Sequence, residues 1–159
     1  MLAELQLRRG WCQGDAVLSA LRECFTYTPA GADRATGYLY SEGDQLWPEP
    51  LAVLGPALLG MLATDLDVKF TVVAFQAYRD GAGCDWHTDT PFDSQAVLSL
   101  GVSRVFAVRS GDRVEAHQVH HGDLVVMPSG FQQVWQHSVP VQPDVCGERC
   151  SMVFRTVAK

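Results

Sequence analysis

The sequence predicts a mainly β protein, a sandwich or double-sheet jelly roll with helices packed outside it near the N-terminus. Three observations carry this. From Phe70 onward the apolar residues follow the period of strands in seven short runs, 70–78, 96–100, 105–109, 115–119, 123–127, 134–139 and 150–157. Turn signals separate them: Arg79-Asp80-Gly81, Ser110-Gly111-Asp112, His121-Gly122-Asp123 and Pro128-Ser129-Gly130. The gaps are too short for the helical crossovers that a parallel sheet needs, which excludes a doubly wound α/β fold.

The first third of the chain reads differently. Residues 15–25 place Val17, Leu18, Leu21 and Phe25 on one helical face, with Asp15 expected as the N-cap. The aromatic, alternating Gly37-Tyr38-Leu39-Tyr40 reads as a strand or strand-like loop. The apolar stretch 47–61, with Pro48, Pro50 and Pro56, suits a helix entered from a proline-rich turn, its secure part beginning near Pro56. Leu51 to Leu62 read as core rather than as a partner helix.

With 159 residues, 47% of them apolar, one domain over 1–159 can bury a core without staples. No run approaches the roughly 20 apolar residues of a bilayer helix, and the first residues lack the pattern of a signal peptide, so the expectation is a cytoplasmic, monomeric protein with no membrane. Five cysteines without a CxxC pair are expected as reduced thiols, Cys146 and Cys150 included. A net charge of −6 argues against general charge-driven binding to nucleic acid, although the 12 Lys and Arg leave room for one basic groove.

Chemistry concentrates in Trp86-His87-Thr88-Asp89, where a histidine and a carboxylate two residues apart point to one side of an extended segment. His137, on a late strand beside Val134, Trp135 and Val139, can meet them if the two strands face each other. Two histidines and one carboxylate leave three positions of an octahedral ion open, the arrangement of non-haem Fe(II) oxygenases. Arg149 and Arg155, six apart on an apolar strand, share a face, and guanidinium groups inside a roll call for an anion. A dicarboxylate such as 2-oxoglutarate answers both, because its distal carboxylate suits the planar fork of Arg. His117, His120 and His121 lack ligand spacing with an acid and are expected to be structural.

Taken together, these segments resemble the AlkB-type Fe(II)- and 2-oxoglutarate-dependent dioxygenases. The resemblance runs from about Gly37 to Val157 and rests on Gly37 to Ser41, Tyr78 with Gly81 and His87-Thr88-Asp89, Leu98 to Gly101 leading to Phe106, His121 to Met127, Trp135-Gln136-His137 and Arg149 to Val157. Asp85-Trp86-His87 and 135–140 are most similar to the animal repair branch, whereas 37–41 and the short spacing from Tyr78 to His87 are similar to the bacterial one. The resemblance implies a double-stranded β-helix, with His87, Asp89 and His137 as ligands of Fe(II), and Gln76, Tyr78, Arg149 and Arg155 around 2-oxoglutarate. O2 is the oxidant. It further implies that residues 1–69 supply outer helices and a nucleotide-recognition-like lid. Tyr38, Tyr40, Trp86 and Arg109 are then candidate substrate contacts.

Three departures bear on substrate. Gln76 stands where the family usually has Asn, Thr90-Pro91-Phe92 replaces acidic residues that read a damaged base, and 29–36 lacks the tryptophan that stacks on a flipped base in the bacterial enzyme. The leading expectation is oxidative demethylation of N-alkylated bases in DNA or RNA. Two others stand beside it: the same cofactor chemistry on a nucleoside, metabolite or protein, and a β-roll binding module without turnover. If nucleic acid is the partner, some of Arg34, Lys69, Arg79, Arg104, Arg109 and Arg113 should form a basic rim at the mouth of the site.

Overall fold

The computed structural model describes residues 3–24 and 34–158. Among them ten strands form two antiparallel sheets: β1 (Gln6–Arg8), β2 (Arg34–Ser41), β3 (Val72–Arg79), β4 (Cys84–His87), β5 (Phe92–Gly101), β6 (Arg104–Ser110), β7 (Arg113–Val119), β8 (Leu124–Met127), β9 (Gln136–Val139) and β10 (Glu148–Val157). The larger sheet has the order β1-β8-β5-β10-β3-β2 and the smaller β4-β9-β6-β7. These two sheets face one another as a jelly roll. All seven β-rich runs of the sequence become strands.

The additional strands β1 and β4 are three and four residues long, too short to impose a readable alternation. Residues 131–134 form a helical turn, α3 (Phe131–Val134), so β9 starts at Gln136 rather than at Val134.

Helix α1 (Asp15–Cys24) buries Val17, Ala20 and Leu21 on one face; Phe25 lies outside the described residues. Asp15 is not the cap expected of it. The Leu18 N–H donates to the Gly14 carbonyl at 2.8 Å, so the helical ladder begins one residue earlier, and the Asp15 carboxylate instead lies 2.9 Å from His121 Nε2. Helix α2 (Leu54–Leu66) follows a 3-10 turn at Glu49–Leu51 and has Pro56 in its first turn, where a missing N–H does no harm.

The helices cover the outer face of the larger sheet, where Leu21, Leu51, Leu58 and Leu62 meet Val73, Phe75, Leu98, Leu100, Met152 and Phe154. A second apolar cluster fills the space between the sheets, built from Tyr78, Val97, Phe106, Val108, Val125, Phe131 and Val153. Strand β10 is central and buried on both faces, which explains its nearly continuous apolar run. Among residues of opposite parity on β10, one set faces the helices and the other faces the inter-sheet space. That second set is Arg149, Ser151, Val153 and Arg155.

Candidate metal centre and cosubstrate cleft

The register of β10 with its neighbours builds one wall of a cleft. Arg149 is paired with Tyr78 and Gly101, Ser151 with Gln76 and Ser99, Val153 with Ala74 and Val97, and Arg155 with Val72 and Gln95. Paired residues in an antiparallel ladder point to the same face, so polar groups on three strands converge there. Gly101 has φ +86° and permits the close approach, since a Cβ there would overlap the Glu148 carbonyl.

The smaller sheet supplies the opposite wall. His87 ends β4 directly across from His137 on β9, with ring centroids 4.2 Å apart, and Phe106 stacks on His137. Asp89 follows two residues beyond His87, its backbone N–H donating to Gln132 Oε1 at 3.1 Å. Asp89 Oδ2 lies 3.2 Å from His137 Nε2 and Oδ1 lies 3.6 Å from His87 Nε2. One ligand atom from each of the three residues falls within 4.8 Å of the others.

The donor set fits a divalent ion. A carbonyl only accepts, so the 2.6 Å contact of His87 Nδ1 with the Asp85 carbonyl puts a proton on Nδ1 and turns Nε2 toward Asp89. Burial pushes the His137 imidazole below its ordinary pKa, against the pull of Asp89, which favours the neutral form a metal requires. Burial works against ionisation of Asp89, but the hydrogen bond and charge of His137, the Arg155 guanidinium and the Gln95 amide outweigh it and hold the carboxyl well below the usual range. Nε2 of both imidazoles and the Asp89 carboxylate thus converge, a nitrogen and oxygen donor set that suits a divalent ion.

At the other end of the cleft Arg149 is 2% exposed. Among the described residues its one hydrogen bond is from Nη2 to Ser99 Oγ at 3.2 Å, and its guanidinium lies 5.5 Å from the Tyr78 ring centroid. No carboxylate of the described residues pairs with it. A buried guanidinium facing only a hydroxyl and a ring is an incomplete anion site. Nearby, the Ser151 hydroxyl is buried without a hydrogen-bond partner. Tyr78 donates from its hydroxyl to Gln76 Oε1 at 2.6 Å, and burial raises the phenol pKa so that it stays a donor. These residues suit the carboxylates of 2-oxoglutarate.

Of the eleven residues singled out from the sequence, the structure therefore brings together seven: His87, Asp89, His137, Gln76, Tyr78, Arg149 and Arg155. The other four do not join this cluster. A register shift between Tyr38 and Tyr40 pairs Tyr38 with Ala74 and Tyr40 with Val73, so the two tyrosines occupy opposite faces of β2. Tyr40 stacks on Trp47 on the helix side, with ring centroids 4.9 Å apart. Tyr38, 58% exposed, is on the side of the cleft. Arg109 is paired with Gln136 and so lies on the face of the smaller sheet opposite His137; its guanidinium packs 4.6 Å over the Trp86 ring.

The expected basic rim is thinner than the sequence suggested. Arg104 is interior, donating to the Gly81 and Pro140 carbonyls and to Gln142. Lys69 pairs with Glu42, and Arg113 with Glu4 and Glu115. Arg34 remains at the mouth, 5.6 Å over the Tyr78 ring. Sequence reasoning passed over Gln95, Ser99, Ser151 and Gln132; the available signal was the pair of polar residues Gln95 and Ser99, four apart on one face of an otherwise apolar strand.

Comparison with known proteins agrees with this chemistry. A family profile described as the 2OG-Fe(II) oxygenase superfamily matches residues 2–155. The bovine alpha-ketoglutarate-dependent dioxygenase alkB homolog 3 is 28% identical over 160 residues, covering 87% of this chain and 56% of that protein. The human protein of the same name is 34% identical over 89 residues, covering 46% of this chain and 31% of its own. The chain thus spans about a third to about half of the length of these alkB homolog 3 proteins. A Pseudomonas putida prolyl-4-hydroxylase crystal structure has the same fold, with a TM-score of 0.65 at 18% identity over 98% of this chain and 94% of that one.

Proposed function

The chain belongs to the 2OG-Fe(II) oxygenase superfamily, oxidoreductases that work with Fe(II), 2-oxoglutarate and O2, and on that premise we propose that it is an AlkB-like dioxygenase removing N-alkyl groups from bases in DNA or RNA. In this reading His87, Asp89 and His137 hold Fe(II), and Arg149 takes the distal carboxylate of 2-oxoglutarate, with Arg155 nearer its metal-bound end and Tyr78 between. Bound there, the metal supplies the redox chemistry that couples O2 and 2-oxoglutarate to oxidation of a substrate C–H bond. The chain's own residues bind, orient and keep water out. Phe106, Val97, Val139 and Val153 line the cleft and leave the oxidant facing apolar walls.

The observation that carries this reading is the alignment of one buried, anion-hungry arginine and one three-ligand cluster across a single narrow cleft. The AlkB-type motifs and the similarity to alkB homolog 3 support the choice of an alkylated base. We place the substrate against β2, where Arg34 and Tyr38 offer a cation and an exposed ring, and assign residues 1–69 the role of outer helices and lid within one oxygenase domain. Part of that region, residues 25–33, lies outside the described residues. A flipped or single-stranded base is required, because an atom inside a duplex stack does not reach such a cleft.

One observation favours a second substrate class. Thr90 and Pro91, exposed beside Asp89, present no carboxylate to an exocyclic amine, and the basic rim is short, so a nucleoside or other small molecule is the alternative. Formaldehyde and succinate release should be followed with Fe(II) and 2-oxoglutarate across methylated single-stranded oligonucleotides, methylated nucleosides and a metabolite panel. Release from oligonucleotides, abolished in a folded His137→Ala variant, is the expected result. Turnover only with small molecules would replace the substrate, and full activity in His137→Ala would remove the metal site.

A further inference from the structure

Gln95 lies on β5, fully buried, paired in register with Arg155. Its amide joins two charged groups of opposite sign. Nε2 donates to Asp89 Oδ2 at 3.1 Å, and Oε1 accepts from Arg155 Nε at 3.4 Å. Arg155 Nη2 stands 3.6 Å from that same Asp89 oxygen, a loose ion pair longer than a hydrogen bond. A guanidinium and a carboxylate this close, both shielded from water, have a strong tendency to close into a two-pronged ion pair. Closure would occupy carboxylate lone pairs that a metal needs and guanidinium donors that an anion needs.

An amide prevents this in a way that neither a charged nor an apolar side chain does. Its NH2 end satisfies the carboxylate without neutralising it, and its carbonyl end satisfies the guanidinium without pairing its charge. Both ends are used, which explains why an amide is tolerated between Ser94 and the apolar Ala96 and Val97 on a strand otherwise built for packing.

We propose that Gln95 is a positioning residue: its amide holds the Asp89 carboxylate toward His87 and His137 and keeps the loose Arg155 ion pair from closing into a two-pronged one, leaving carboxylate lone pairs open to a divalent metal and guanidinium donors open to a carboxylate anion. This rests on the reading of Asp89 as a metal ligand. The effect of Gln95 passes through Asp89 and Arg155.

The test is a calorimetric titration with Mn(II) alone, without cosubstrate, on the full chain and on Gln95→Met, Arg155→Met and the double variant. Gln95→Met should weaken Mn(II) binding by about 10- to 100-fold, the range seen when a partner of a metal ligand is lost. Adding Arg155→Met should restore the affinity to that of Arg155→Met alone, because the competing guanidinium is gone. Unaltered Mn(II) affinity in Gln95→Met overturns the proposal, and so does a loss that the second substitution leaves in place. A merely structural role would lower the melting temperature in EDTA and leave Mn(II) affinity of the folded variant intact. Gln95→Leu repeats the measurement should Gln95→Met fail to fold. Absence of Mn(II) binding by the unaltered chain would overturn the metal site itself, and this role with it.

Discussion

Arg149 carries a charge that the described fold leaves with a hydroxyl and an aromatic face for company. Burying a charge without a counterion is costly, and replacing such groups by apolar ones of similar volume is often stabilising by about 1–4 kcal/mol. Arg149→Met is therefore expected to melt at or above the temperature of the unaltered protein without cosubstrate, while weakening 2-oxoglutarate binding by more than about a hundredfold. Differential scanning fluorimetry with and without 2-oxoglutarate checks both halves. The same measurement on the unaltered chain should show stabilisation of about 2.7 kcal/mol at a cosubstrate concentration 100 times its Kd. At this scale the sequence was legible where chemistry imposed spacing: His87 with Asp89, and Arg149 with Arg155, follow the period of a strand. Ser151 was not legible, and Gln95 only faintly through its spacing from Ser99, because the role of a Gln or Ser in an apolar run depends on cross-strand partners.

Strand β2 shows what a single extra residue does. Two tyrosines two apart should share a face, yet the bulge between them turns Tyr40 toward the helices and Tyr38 toward the cleft. Tyr40→Ala should cost about 1–3 kcal/mol through loss of its stack on Trp47 and leave cosubstrate affinity unchanged. Tyr38→Ala should alter stability by no more than about 0.5 kcal/mol and lower substrate turnover at constant uncoupled 2-oxoglutarate consumption. Comparing melting curves with formaldehyde release separates the two faces. Bulges lie outside what alternation can reveal, and so does the break between Cys84 and His87 in β4.

A second element, the turn between β7 and β8, is fixed by Asp123. Burial resists its ionisation, but the Gly10 and His120 N–H groups and the Arg9 guanidinium, at 2.7 to 2.9 Å, more than compensate and hold its pKa below the ordinary value. A depressed acid contributes stability that is present above the unfolded pKa of about 3.9 and is lost as pH falls through the folded value. The melting temperature should therefore drop as pH is lowered from about 5 toward 3, and Asp123→Asn should flatten that drop while costing about 1–3 kcal/mol near pH 7. His121-Gly122-Asp123 was readable as a turn; its tie to Arg9 and Gly10, more than a hundred residues away, was not.

For the molecule as a whole, charge decides how it meets a polyanion. Of the basic residues expected at the rim, Arg104 is interior, Lys69 and Arg113 face acidic partners, Arg109 lies on the face of its sheet away from His137, and Arg34 is the one best placed to meet a phosphate. One phosphate contact on a single strand corresponds to a salt slope of about −0.7 in log K against log salt. Fluorescence anisotropy with a methylated oligonucleotide should give a slope no steeper than about −2, and Arg34→Ala should lower it by about 0.7. The jelly roll and the outer helices were legible at this scale because strand period and short gaps leave few alternatives. Which arginines turn inward was not, since Arg104 is recognisable as interior only once 81, 140 and 142 are seen to surround it.

The two sheets contribute different halves of the site. His87 and His137 come from the smaller sheet, while Gln76, Tyr78, Arg149 and Arg155 come from the larger, and Asp89 on the connecting loop touches both through His137 and Gln95. A metal bound by one sheet and chelated by a dicarboxylate anchored in the other would act as a cross-brace, tying layers otherwise joined by side-chain packing. Amide hydrogen exchange should then slow in β4 and β9 when Mn(II) is added, and slow together in β4, β9 and β10 only when 2-oxoglutarate is present as well. Breathing of the sandwich and loading of the cleft become one equilibrium, so that the cosubstrate also sets how tightly the roll stays closed.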